Sequence, residues 1–398
     1  MRAARTALVI GGGIAGPVTA MALRKAGIEA AVYEAYASPA DGVGVTLTVA
    51  PNGLDALGVV DADGPVRGIG QPLVRAEMRD GRGGRIGEMP GPAGLPPSLG
   101  LWRHELCRVL HETATARGVD VRYGKRLAGV EEHPDRVVAL FADGTTAEAD
   151  VLVGADGIRS TVRALIDPDA PEPVAARLLN FGGAADVAAP GRRDSSYFVF
   201  GRRGFFGYWV QPDDRTAWFA NLPHDRPVPS AEARAVPRAE WLARLREAYA
   251  DDEPARDVLA RTDAEGLVVL GSMESMPKVP RWHRGRMVLV GDAAHAPSSS
   301  SGQGASLAVE SAVQLARCLR DLPDPESAFA AYERLRRARV ERVIDRGKRT
   351  NNSKTVGPVG RTMMRLMMPV MTRTFLSPER TLGPEQRYTI DWDARVAA

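Results

Sequence analysis

Residues 7–16 read Ala7-Leu8-Val9-Ile10-Gly11-Gly12-Gly13-Ile14-Ala15-Gly16, and this stretch decides the fold. The apolar run from Ala7 to Ile10 lacks polar alternation, as expected of a strand covered on both faces. Glycines at 11, 13 and 16 follow in the G-x-G-x-x-G spacing. They permit a tight turn and a close approach of the backbone to a pyrophosphate at the N-terminus of the next helix. Pro17 is tolerated in the first helical turn, where its missing N–H has no partner to lose. Helical spacing over Val18–Ala26 ends at Gly27, and Ala30–Tyr33 is a second short strand. Glu34 closes that strand about 20 residues beyond the glycines, where a carboxylate accepts both ribose hydroxyls and repels a 2′-phosphate. Strand, turn, helix, strand and acid in this register predict a dinucleotide site.

Two later stretches repeat the pattern of an apolar strand entering a polar turn. Val151-Leu152-Val153-Gly154-Ala155-Asp156-Gly157 leads to a predicted helix, with Arg159 and Arg163 suited to a diphosphate or a nicotinamide cofactor. On residue chemistry alone this is a strand and a turn. Met287–Val290 leads through Gly291-Asp292 to His295, then to Gly302-Gln303-Gly304-Ala305-Ser306 and a helix. Asp292 at the strand end can accept from a sugar-chain hydroxyl. The glycines at 302 and 304 allow close backbone approach, and the helix start favours negative charge on a bound ring. His295 alone reads as a structural histidine.

Between these segments the pattern changes. Aromatic runs at Tyr197–Phe200, Phe205–Val210 and Ala217–Leu222 are separated by turn clusters, which predicts an antiparallel sheet. Tyr208 and Trp218 on those strands are candidates to face a substrate, although a shift of one residue would turn them away. His224, in a turn, is a weaker candidate. The expected fold is α/β: a Rossmann-like nucleotide-binding domain with a parallel sheet, discontinuous in sequence (1–70, 98–175 and 266–325). An inserted, mainly antiparallel β-sheet substrate domain takes 71–97 and 176–265, and helices take 326–398. The Met-rich run Met363–Met368 reads as part of a helix packed on the body.

Composition narrows the function. The chain has 398 residues, and 52 basic against 49 acidic residues leave +3, too weak a field for nucleic acid or an anionic membrane. Cys107 and Cys318 have no metal-ligand spacing and read as two buried, reduced thiols. The first apolar run is too short for a signal peptide, and no stretch reaches membrane-span length. The expectation is a cytoplasmic monomer or homodimer with no metal.

The three segments, in this order, resemble the single-component flavoprotein aromatic hydroxylases, the group that includes p-hydroxybenzoate hydroxylase. Gly11, Gly13, Ile14, Ala15, Gly16 and Glu34 match the family's dinucleotide fingerprint. Asp156-Gly157 with Arg159 match its second motif, which implies contact with FAD and, for Arg159, with NAD(P)H. Asp292, Gly302, Gly304 and Ala305 match the third, which meets the flavin ribityl chain and ring. Smaller matches lie at Gly44-Val45, Pro51-Asn52-Gly53 and Leu57-Gly58, a segment that passes the isoalloxazine in the family. Arg103 matches an arginine that touches FAD, and Leu127 a position whose backbone meets the adenine.

The resemblance implies an FAD-dependent monooxygenase of bacterial secondary metabolism or aromatic catabolism. It would use NADPH or NADH and O2 to hydroxylate or epoxidise an aromatic or polyketide-like small molecule through a C4a-hydroperoxyflavin. A flavin reductase or oxidase of the same fold, acting on a C=C bond without oxygen insertion, is the alternative. One departure concerns the loop Ala296-Pro297-Ser298-Ser299-Ser300-Ser301, whose proline stands two positions before the family's. It has two readings: hydroxyls near a flavin peroxide, or a repacked loop. Ser311 also replaces an acid common in the family.

Overall fold

The structure, a computed structural model, describes residues 3–38, 45–353 and 377–397. The Met363–Met368 run and Gly44 lie outside the described residues. Helices follow in the order α1 (Ala15–Lys25), α2 (Pro51–Val59), α3 (Asp63–Ile69), α4 (Arg103–Ala116) and α5 (Thr161–Ile166). Then come α6 (Ser230–Ala235), α7 (Arg238–Ala248), α8 (Ala255–Ala260), α9 (Asp292–His295), α10 (Gly304–Asp321) and α11 (Pro325–Ser353).

A six-stranded sheet carries the nucleotide-binding half. Its order is 283–284, 287–289, 151–154, 6–10, 29–33 and 120–122, parallel except for the edge hairpin at 283–289. All three sequence segments therefore end their strands in one sheet, at its carboxyl edge. Val9 pairs with Val153 and Val32, and Val153 with Val288; all four are fully buried. Each such side chain contributes about 1.5–3 kcal/mol on leaving water. This explains the lack of polar alternation in these runs, because the sheet is packed both by α1 and by the three-stranded sheet 127–149, where Tyr33 stacks on Phe141.

The inserted half is a seven-stranded sheet, ordered 268–275, 174–185, 216–223, 205–210, 195–200, 75–80 and 85–90. It is antiparallel except where 195–200 meets 75–80. Strand Val268–Ser275 belongs to this sheet, beyond the expected boundary at 265. Helix α3 is short and carries Gly64 and Pro65 in its first turn. Two three-stranded sheets (127–132, 137–141, 146–149; and 46–49, 98–102, 71–73) complete the layers.

The seven-stranded sheet has two distinct faces. One packs Tyr197, Phe206, Tyr208, Trp218 and Phe181 under Trp241, Leu245 and Tyr249 of the α7 region. Phe205, Gly207, Trp209, Ala217 and Phe219 alternate onto the other face. That second face meets the nucleotide-binding half, since Trp209 lies against Gly100 and Val45 against Gly182.

The tail returns over the first half. Tyr388 lies against the guanidiniums of Arg336 and Arg339, and Trp392 against those of Arg320 and the amine of Lys25. Ile390 is buried in the main core.

Candidate functional site

The glycine turn is set by contacts that leave no room for side chains. Gly11 has φ +102°, and a Cβ there would stand 2.5 Å from the carbonyl oxygen of Ala155. Close packing of the first segment on the second thus excludes any other residue. Gly13 differs: the nearest atom to a Cβ there is the Arg103 guanidinium, 4.0 Å away. Open space in front of the N-terminus of α1, flanked by that cation, suits an anion. No acidic residue stands in the first turn of α1.

Glu34 is nearly buried and accepts from the backbone N–H of Gly12 and, at 2.8 Å, from that of Tyr36. These bonds fix its carboxylate beside the turn. Leu127 opens its strand next to this corner, where Lys125 N–H donates to the carbonyl of Glu34 at 2.7 Å.

The second segment is more structural than its sequence suggests. The Asp156 carboxylate accepts from the Ser160 hydroxyl and, at 3.1 Å, from the Val162 N–H, so it holds the start of α5. Arg163 is buried and donates to the carbonyls of Ala293 at 3.1 Å and Ile158 at 2.7 Å, bracing the third segment against the second. Arg159 is exposed and paired with Glu274 of the seven-stranded sheet.

Asp292 follows Gly291, whose φ is +59° and where a Cβ would stand 2.9 Å from Ala15 Cβ, so the third segment packs closely on α1. Its carboxylate is open to solvent yet walled in by protein, as on the floor of a deep cleft. Burial pushes its pKa up to about 6, with the charge of Arg103 pulling the other way. Arg103 therefore stands between Gly13 and Asp292. The third side of the cleft is the start of α10, where Gln303 gives no side-chain cap and no acid occupies the first turn. The N–H groups there are left to a ligand.

Behind α10 lies a polar cluster that sequence reasoning missed. Asn52 donates to Gln303 Oε1 at 3.0 Å and to Glu310 Oε1 at 2.6 Å. Glu310 pairs with Arg336 and Arg339 at 2.7 Å each, and both Glu310 and Arg336 are fully buried. Burial opposes the Glu310 charge, but the two arginines and Asn52 hold its pKa below the ordinary value. His295 contacts Ser311 Oγ at 2.8 Å, and burial beside Arg336 lowers its pKa to about 3. It is a neutral structural histidine. Ser311 also accepts from Arg336 Nε at 3.2 Å, so a serine here serves a neighbouring cation.

The serine loop forms a short 3-10 turn over Ser299–Ser301. Ser298 donates to Met273 Sδ at 3.1 Å, and Ser301 accepts the Gln303 N–H at 3.1 Å. These bonds favour the repacked-loop reading.

Tyr208 and Trp218 do not face the cleft. Both are buried on the helix-covered face, where the Tyr208 hydroxyl donates to the Pro190 carbonyl at 2.9 Å and burial raises its pKa far above the ordinary phenol value. The alternation was legible, but the face was decided by α6–α8. His224 is half-buried in its turn and contacts the Arg226 carbonyl. Cys107 and Cys318 are buried and unpaired. A separate cleft of about 910 Å³, lined by Trp102, His104, Trp209 and Gln211, contains none of the motif residues. No helix of the described residues is long and apolar enough to cross a membrane.

A discontinuous parallel sheet, an inserted antiparallel sheet and a three-sided anion-seeking cleft define a dinucleotide-binding flavoprotein hydroxylase fold. The chain belongs to the FAD binding domain family, which matches residues 4–347. Aurachin C monooxygenase/isomerase of Stigmatella aurantiaca is 31% identical over 350 residues, covering 87% of this chain and 88% of that protein. The FAD-dependent urate hydroxylase of Klebsiella pneumoniae is 30% identical over 347 residues, covering 85% and 87%. The crystal structure of Klebsiella pneumoniae HpxO with FAD and uric acid superposes with a TM-score of 0.81 at 26% identity, covering 96% of each chain.

The residues fit an FAD. The gap between Gly13 and Arg103 suits its pyrophosphate, Glu34 its ribose, Asp292 its ribityl hydroxyls, and the bare start of α10 an electron-rich ring edge.

Proposed function

We propose that this protein is an FAD-dependent monooxygenase that uses NADH or NADPH and O2 to put one oxygen atom into an aromatic or polyketide-like small molecule. The observation that carries the reading is the grouping of Arg103 beside Gly13 at the start of α1, Arg103 acting on the Asp292 carboxylate, and the uncapped start of α10. The relatives named for aurachin C and urate support an oxygen-inserting reaction. Bound FAD would accept the reducing equivalents and activate the oxygen.

The chain's own tasks are to bind, orient and exclude water. Gly13 and Gly16 with Glu34, Arg103 and Leu127 would hold the adenosine diphosphate half. Ile14 and Ala15 start α1 beneath it. Asp156 would act by holding the second turn in place, and Asp292, Gly302, Gly304 and Ala305 would meet the ribityl chain and ring. Arg159, at the surface between the halves, is the residue proposed to meet NAD(P)H.

The substrate would lie between the halves, on the face of the seven-stranded sheet that meets the nucleotide-binding half. Across that face run Gly182, Phe219, Gly207 and Phe198 in register. A Cβ on Gly207 would stand 2.2 Å from the Phe219 ring, so the glycine lets that ring lie flat across the sheet. Asn221 donates to Asn180 Oδ1 at 3.1 Å near the end of the same face. Flat aromatic walls suit a planar, largely apolar ring.

The test is a panel of phenols, quinolones and polyketides screened for accelerated NADH or NADPH oxidation, with mass spectrometry of products. A product heavier by one oxygen atom, formed in step with nicotinamide oxidation, is expected. Peroxide formed with every compound left unmodified would point to an oxidase, and a reduced C=C bond to a reductase.

A further inference from the structure

The motif leaves position 12 free, yet the structure does not. A Cβ on Gly12 would come within 2.9 Å of Glu34 Oε2 and 3.0 Å of His111 Cε1. His111 belongs to α4, on the stripe Arg103, Cys107, His111 that spacing of four residues turns toward the glycine turn. Its Nε2 contacts the Gly12 carbonyl, and its Nδ1 lies 2.7 Å from the Tyr123 hydroxyl. The His111 and Tyr123 rings stack with centroids 5.7 Å apart.

A carbonyl only accepts, so Nε2 carries the proton. Nδ1 then accepts from the Tyr123 O–H, and burial keeps the ring neutral by lowering its pKa. The chain Tyr123 O–H to His111 to Gly12 C=O thus has one direction throughout. The Gly12 carbonyl shares a peptide plane with the Gly13 N–H, and in a trans peptide the two point opposite ways. Holding the carbonyl toward His111 aims the Gly13 N–H away from that histidine. Among the described residues, that N–H has no protein partner.

We infer that His111, fixed by Tyr123, is a positioning residue that orients the Gly12–Gly13 peptide so that the Gly13 N–H meets a dinucleotide pyrophosphate. Donation to the carbonyl also polarises the peptide and strengthens the N–H as a donor. The role is independent of the reaction at the flavin ring, but it rests on dinucleotide binding at this turn.

The experiment measures binding to apoprotein, with FAD read by flavin fluorescence quenching and ADP and adenosine by competition. His111→Leu keeps the bulk and loses the donor, and His111→Gln restores an N–H at similar reach. His111→Leu is expected to weaken FAD and ADP by about tenfold, the scale of one misdirected bond to a charged group, and to leave adenosine unchanged. His111→Gln is expected to stay within about threefold of wild type. Unchanged FAD affinity in His111→Leu, or an equal loss for adenosine, overturns the inference. If that variant does not fold, Tyr123→Phe decides: a loss of about threefold for FAD supports the role, and none overturns it. A wild-type chain that binds neither FAD nor ADP defeats the dinucleotide reading itself, a result distinct from failure of the histidine's role.

Discussion

Asp292, proposed to meet the ribityl chain, carries a stability cost that such a role would explain. Burial raises its pKa from 3.8 to about 6, with Arg103 offsetting part of the cost. A raised acid binds its proton more tightly when folded, so its contribution to stability is fully present below the unfolded pKa. It is lost as pH rises through about 6. Asp292→Asn removes that penalty. The apoprotein of the variant is expected to melt higher than wild type at pH 8, with the gain largely gone by about pH 4. The same substitution is expected to weaken FAD by tenfold or more at pH 8, about the value of a hydrogen bond to a charged group. Thermal melts across pH and a flavin titration check both halves. A variant that melts lower at every pH would show that the carboxylate is a structural partner and not a ligand held in reserve.

At the scale of elements, α10 is aimed from behind. Asn52 of α2 ties Gln303 to Glu310, and Glu310 ties α10 to α11 through Arg336 and Arg339. Glu310→Gln leaves Arg336 fully buried without its counter-charge and is expected to cost about 3–5 kcal/mol in urea unfolding. Glu333→Gln breaks a half-exposed pair with Arg337 on α11 and is expected to cost less than about 1 kcal/mol. Equal costs would mean that the buried cluster is relaxed by groups other than these two arginines. The cluster also marks where sequence reading stops. The glycine turn and Glu34 were legible because strand, turn and helix are written locally, in spacing and period. Glu310 lies 258 residues from Asn52 and 29 from Arg339, and no local pattern joins them. His111 left a faint trace in its spacing from Arg103, but its target is the backbone of Gly12, which carries no side-chain signal. In the second segment, Arg163, suited by type to a diphosphate, braces a turn through a backbone carbonyl, and the Asp156 carboxylate caps a helix.

On the scale of the whole molecule, the seven-stranded sheet separates two compartments that differ in what they tolerate. Trp218 is fully buried and stacks on Phe206 with centroids 5.6 Å apart, under the helices on the outer side. Phe219, its neighbour in sequence, is half-buried on the side that meets the nucleotide-binding half. Alternation places these adjacent aromatics in different jobs. Trp218→Ala opens a cavity in a closed layer and is expected to cost about 3–5 kcal/mol, with KM for an accepted substrate unchanged below the melting transition. Phe219→Ala removes part of the flat wall on the proposed substrate side. It is expected to leave the melting temperature within a few degrees and to raise KM about threefold to tenfold, the range of one aromatic contact. More nicotinamide should also be oxidised per product formed, because a looser ring excludes water less well. Paired unfolding and steady-state measurements on the two variants read both compartments at once. Should Trp218→Ala raise KM and Phe219→Ala only lower stability, the substrate would lie on the helix side, and the cleft between the sheets would need another occupant.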